Sequence, residues 1–137
     1  MIQYLTPEQV LFLHSRLITE TGGLHGIRDL GMLLSAPGRP LAIFEGKDLY
    51  PDLFSKTAAL MDSLVRNHPF VDGNKRTAIT ASGLFLRMNG LRLVVENDEM
   101  VQFTLACAQS YLSFAEISAW FKKYTIPSTP SSAPKPR

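Results

Sequence analysis

A chain of 137 residues with a formal net charge of +2 has room for one hydrophobic core and little more. Hydrophobic residues make up 45%, which excludes composition-driven disorder and collagen-like sequence. The pI of 8.8 suggests a polyanion binder, yet residues 1–124 balance 12 basic against 12 acidic side chains, and the excess is Lys135 and Arg137 at the far end. With a neutral body, no direct nucleic-acid binding is expected.

Thr6-Pro7-Glu8-Gln9 opens a first helix, with Thr6 as cap, Pro7 at the first helical position and Gln9 closing a capping box. Val10, Leu11, Leu13, Leu17 and Ile18 follow at helical spacing, and Gly22-Gly23 ends the element. A second, short helix is predicted from Asp29 to Pro37. Residues 38–51 are punctuated by Gly38, Pro40, Gly46 and Pro51 and read as non-helical, with Leu41–Phe44 as a short strand in a small hairpin or flap.

From Asp52 to Asn67 the apolar spacing predicts a well-buried helix, interrupted by His68-Pro69 because proline disfavours helical backbone in the residue before it. The next helix runs from about Lys75 to Met88 and stops at Asn89-Gly90. Leu91–Val95 suits a short extended segment. Asn97-Asp98-Glu99 caps a helix to about Ser110, and Ser113-Phe114-Ala115-Glu116 opens the last one, ending at Tyr124. Residues 125–137 hold four of the nine prolines and read as a disordered Pro/Ser-rich tail. The fold class is mostly α, a helical bundle with a small β flap, as one domain over residues 1–124.

The single cysteine, Cys107, sits in an apolar helical stretch and reads as a buried small hydrophobe. His14 and His25 lack metal-ligand partners at useful spacing and read as surface or helix-end histidines. No stretch approaches a membrane span or a signal pattern, so a cytoplasmic location without membrane contact is the default expectation.

One passage carries chemistry: His68-Pro69-Phe70-Val71-Asp72-Gly73-Asn74-Lys75-Arg76. Gly73 and Asn74 tolerate backbone conformations that turn successive N–H groups inward as an anion nest. The following helix adds its free N–H groups and the positive end of its dipole. Lys75 and Arg76 oppose that dipole, and a bound phosphate would reverse the sign. Asp72 offers a hard oxygen ligand for Mg²⁺, and His68 can accept a proton from an attacking hydroxyl at neutral pH. Phe70 serves as an apolar anchor. The same residues also suit a solvated loop in which His68 closes a helix end and both cations face water.

His-x-Phe-x-Asp-Gly-Asn-x-Arg, from His68 to Arg76, resembles the loop motif of the Fic/Doc family, and Lys75-Arg76-Thr77-Ala78 resembles its Doc (death-on-curing) branch. Tyr4-Leu5-Thr6, Gly26-Ile27-Arg28-Asp29, Arg39-Pro40 and Phe85-Leu86 before Asn89-Gly90 extend the resemblance over most of residues 3–124. It implies a Fic-fold helical bundle with a flap over residues 40–50 and transfer of part of ATP to a protein hydroxyl. His68 would be the base, Asp72 the Mg²⁺ ligand, and Gly73, Asn74, Lys75 and Arg76 the phosphate grip. Arg66 stands where Doc-like proteins also carry an arginine.

The adenylylating Fic pattern has glycine where Lys75 stands and a second arginine where this chain has Ile79. That departure implies kinase chemistry, with the γ-phosphate of ATP passed to a hydroxyl, by similarity a threonine of elongation factor Tu, halting translation. A nucleotidyl (AMP) transferase of ordinary Fic type and a non-catalytic binding module are the competing readings. Some Fic proteins carry an inhibitory [ST]-x-x-x-E-[GN] segment; here Leu41 and Arg92 occupy its first position before Glu45-Gly46 and Glu96-Asn97. A separate antitoxin, with a helix in a groove near the loop, is the implied partner.

Overall fold

The computed structural model describes residues 1–128 of the chain. It contains six α-helices among the described residues: α1 (Pro7–Thr21), α2 (Leu30–Ser35), α3 (Leu53–Asn67), α4 (Asn74–Met88), α5 (Asn97–Ala108) and α6 (Phe114–Lys123). The mostly α class read from the sequence is what the structure has. No helix is long and apolar enough to cross a membrane, among the described residues.

Helix α3 is the axis. Ten of its residues are buried, including Ala58, Leu60, Met61, Leu64 and Val65, because it is covered by α4, α5 and α6. Asp52 caps it, accepting from the Ser55 N–H at 2.8 Å, with Ser55 returning the bond. The capping boxes at Thr6/Gln9 and Ser113/Glu116 form as their sequences predict. At α5 the prediction shifts by one: Glu96 is the cap residue, without a side-chain bond, and Asn97 is already helical. The far end of the bundle closes on Trp120, stacked on Phe103 at 3.6 Å between ring centroids and donating to Glu99 at 2.9 Å.

Three sequence expectations are revised. The second helix stops at Ser35 and tightens into a 3-10 helix over Ala36–Leu41, which replaces the end of the expected helix and runs into the stretch read as non-helical. Pro37 falls in the first turn, where no N–H is needed, and the short i→i+3 pattern tolerates Pro40. The hairpin beyond it is shorter than expected: β1 (Ile43–Phe44) pairs with β2 (Lys47–Asp48) across Glu45-Gly46, both at positive φ, as a two-residue hairpin turn requires. Finally, the tail does not begin at residue 125. β3 (Leu91–Leu93) pairs antiparallel with β4 (Thr125–Pro127), and Ser128 N–H donates to Gly90 O at 2.9 Å. Residues 129–137, the rest of the expected tail, lie outside the described residues.

The hairpin is tied to α3 from below. Lys56, only 1% exposed, donates to Pro40 O at 3.1 Å and lies 3.6 Å from the Asp48 carboxylate. Arg39 bridges Tyr50 (3.0 Å), Asp62 (2.7 Å) and Ser63 (3.2 Å). These bonds fix where the flap leaves the bundle.

Candidate active site

The loop between α3 and α4 is held from three sides. Its own anchor is Phe70, 1% exposed, whose burial is worth roughly 1.5–3 kcal/mol. The Asn74 side chain clamps that residue: its Oδ1 accepts from Phe70 N–H and its Nδ2 donates to Phe70 O, both at 2.9 Å. Asn74 thus shapes the loop through both ends of its amide, with one Nδ2 hydrogen left over.

The second support is the segment following α1. Arg28 donates to His68 O (2.6 Å) and Asn67 O (2.7 Å), satisfying the carbonyl end of α3. The N–H groups of Arg28 and Asp29 both reach Pro69 O, and Val71 N–H reaches Gly26 O at 3.0 Å. This grip maintains His68 in the left-handed region at φ 48°, leaving its imidazole exposed and without a hydrogen-bond partner among the described residues.

The third support is the face of α1. His14, read from sequence as a surface or helix-end histidine, is instead 2% exposed, with Nε2 2.7 Å from Asp72 O. A carbonyl oxygen carries no proton, so Nε2 is the protonated nitrogen and donates. The ring stacks on Phe70, centroids 3.7 Å apart and planes 3° from parallel. Burial pushes its pKa below histidine's ordinary value, against the opposing pull of the Asp72 carbonyl. The signal was present in the sequence: His14 lies four residues after Val10 and four before Ile18, both buried on the same face.

Asp72 and Gly73 form the floor. The Asp72 carboxylate accepts from Leu24 N–H (3.0 Å) and Gly73 N–H (2.8 Å), and these bonds, with the Arg76 charge, hold it below the usual carboxylate range. Each oxygen takes one N–H and keeps lone pairs free, which suits a hard cation ligand. Gly73 caps α4 at φ 77°, and a Cβ there would stand 2.9 Å from Ile18 Cδ1. Because its N–H serves Asp72, the donors left for an anion are those of Asn74, Lys75 and Arg76, ahead of the first helical bond from Thr77 N–H to Gly73 O.

The two cations are treated differently. Lys75 is exposed and has no hydrogen bond or ion pair among the described residues. Arg76 lies across the end of α1, donating to Thr21 Oγ1 and to Gly22 O (3.1 Å). Arg66 is not brought into the loop's hydrogen bonding. Its guanidinium donates to Ser110 Oγ at 2.9 Å and lies 3.7 Å from Asp62. Beside the loop, a cavity of about 340 Å³ opens between α1, α4 and α5, lined by Leu17, Lys75, Arg76, Ile79, Met100 and Val101 among others.

Comparison with known proteins bears on this loop directly. A family model described as "Fic/DOC family" matches residues 4–86, from the start of α1 through most of α4. The chain is 47% identical over 98 residues to "Toxin Doc" of Mycolicibacterium smegmatis (strain ATCC 700084 / mc(2)155), covering 72% of this chain and 73% of that one. It is 32% identical over 117 residues to "Protein kinase doc" of Escherichia phage P1, covering 85% and 91%. With the helical bundle, the flap and the His68–Arg76 loop all in place, the chain belongs to the Fic/DOC family.

Proposed function

We propose that this protein is a Doc-like toxin and a protein Ser/Thr kinase: it transfers the γ-phosphate of ATP to a hydroxyl of a translation factor, with a threonine of elongation factor Tu as the leading candidate. The observation that carries the reading is the division of labour in α4. Lys75, without a hydrogen bond or ion pair among the described residues, brings a cation to the first turn, whereas Ile79, one turn on, brings an apolar side chain to the cavity that both line. An adenylylating site needs room at the first position and an arginine at the second; this chain has neither. The name of the phage P1 relative points the same way.

In this mechanism the exposed His68 imidazole takes the proton of the target hydroxyl. The hydroxyl oxygen forms a bond to the γ-phosphorus as the bond to the β,γ-bridging oxygen breaks, and ADP leaves. The N–H groups of Asn74, Lys75 and Arg76 and the Lys75 ammonium hold the phosphates. Arg76 joins them by exchanging Thr21 and Gly22 for a phosphate oxygen. Bound Mg²⁺ would supply charge neutralisation to the phosphates, with Asp72 as its protein ligand. The apolar cavity between α1, α4 and α5 suits an antitoxin helix, whose apolar face would cover Leu17 and Met100 while its end blocks Lys75.

The test is incubation of the purified chain and elongation factor Tu with γ-labelled or α-labelled ATP. Transfer of label from the γ position only is expected, and His68→Ala should reduce it at least ~100-fold. Label from the α position would replace the kinase reading with nucleotidyl transfer. No transfer with unchanged toxicity of His68→Ala would favour a binding module.

A further inference from the structure

His14 lies outside the motif, on α1, yet its ring meets three residues of the loop. It donates to Asp72 O at 2.7 Å, stacks on Phe70 at 3.7 Å, and lies 3.6 Å from where a Cβ on residue 73 would stand. The first contact has the longest reach. The Asp72 carbonyl and the Gly73 N–H belong to one peptide unit, which is planar and turns as a single body. On one edge of that plane the carbonyl is held by His14. On the other edge the N–H donates to Asp72 Oδ1 at 2.8 Å.

We infer that His14 is a positioning residue for the Asp72 carboxylate, acting through the peptide plane between Asp72 and Gly73; the inference rests on Asp72 being the cation ligand of the proposed reaction only for its functional consequence. Without the donor, the carbonyl faces a site where the occupying ring is 2% exposed, and turning the plane towards water is its escape from an unpaired state. The same rotation withdraws the Gly73 N–H from Oδ1. The carboxylate then keeps one fixed bond, from Leu24, and its free lone pairs are no longer aimed. A residue kept only to fill the core would do as well as phenylalanine or methionine. A residue kept for its donor would not.

The experiment separates these cases. Gln and Met are close in shape and differ in the donor, and Phe retains an aromatic ring without one. Amide hydrogen exchange at Gly73, measured by NMR on the protein alone, should be faster by about 10-fold in His14→Met and His14→Phe, and near wild type in His14→Gln, with interior α4 amides unchanged in all three. ATP affinity is then compared at saturating Mg²⁺ and in EDTA. The gain from the metal should fall by at least ~10-fold in the Met and Phe variants and by less in Gln. Wild-type exchange at Gly73 in both His14→Met and His14→Phe would overturn the inference, as would a Gln variant as impaired as Met. Should wild-type protein show no Mg²⁺-dependent gain at all, the proposed reaction fails, and the Gly73 exchange rates still decide the role of His14.

Discussion

Replacing Asn74 with alanine tests whether the motif asparagine builds the loop or touches the ligand. In the structure its amide makes two bonds of 2.9 Å to the N–H and carbonyl of Phe70, a residue 1% exposed. Truncation leaves one donor and one acceptor unpaired where water has little access, at about 1–3 kcal/mol each. Allowing for partial relaxation, the loss should be roughly 2–4 kcal/mol, a lowering of Tm on the order of 10 °C for a domain of this size. Urea and thermal unfolding of Asn74→Ala measure this directly. At a temperature where the variant is still folded, its ATP affinity should fall, because the Phe70 anchor no longer fixes the turn carrying His68 and Asp72. A variant within ~0.5 kcal/mol of wild type that nonetheless loses ATP binding would refute the argument, since surface-like changes stay within that margin. It would return Asn74 to the phosphate grip that its sequence position suggests.

Further outcomes follow from the same geometry. Arg28→Met removes the donor to the carbonyls of Asn67 and His68, and should cost about 1–3 kcal/mol in urea unfolding together with phosphotransfer activity. Lys75→Met should leave unliganded stability unchanged or slightly raised, by a few tenths of a kcal/mol, while weakening ATP binding; Arg76→Met should lower unliganded stability, and calorimetry of both variants with and without ATP checks the opposite signs. For pH, His14 is held below its ordinary value of 6.5, so the unfolded chain takes up the proton first as pH falls. The stability it contributes is present above 6.5 and lost as pH falls through its folded value, so wild-type stability should decline more steeply than that of His14→Phe in this window. Asp72, held below 3.8, contributes stability present above that value and lost as pH falls through its folded one, and Asp72→Asn should flatten the curve there.

What the sequence made legible was what neighbours along the chain decide. Capping boxes at Thr6/Gln9 and Ser113/Glu116 and the helix break at His68-Pro69 each involve residues within four positions, and each forms as read. The loop motif put His68, Phe70, Asp72, Asn74 and Arg76 within one turn and the start of α4. It did not show how they are held, because the holding groups are distant in sequence: His14 is 58 positions from Asp72, Leu24 is 48, and Arg28 is 40 from His68. Composition misled at the C-terminus for a similar reason. Thr125-Ile126-Pro127 looks like tail, yet β3 offers an edge, and Tyr124 O takes Val94 N–H at 2.7 Å beside it. A proline at the end of such an edge strand forfeits no interior ladder bond.

The charge balance of the loop explains why Lys75 and Arg76 are not equivalent. Both occupy the first turn of α4, where a cation opposes the helix dipole by about 0.3–1 kcal/mol. The last turn of α1 has the opposite need: it ends in unpaired carbonyls and contains no basic residue of its own. Arg76 brings a positive charge to that end from the neighbouring helix, donating to the Thr21 hydroxyl and to the carbonyl of Gly22 just past it, so one unfavourable placement is offset by a favourable one before any ligand arrives. Nothing offsets the other. Lys75 is exposed and unpaired among the described residues, beside three backbone N–H groups that α4 itself does not use. A phosphate bound as proposed would therefore gain most from Lys75 and the N–H groups. From Arg76 it would gain only the difference between the new bond and those to Thr21 and Gly22 that must be given up.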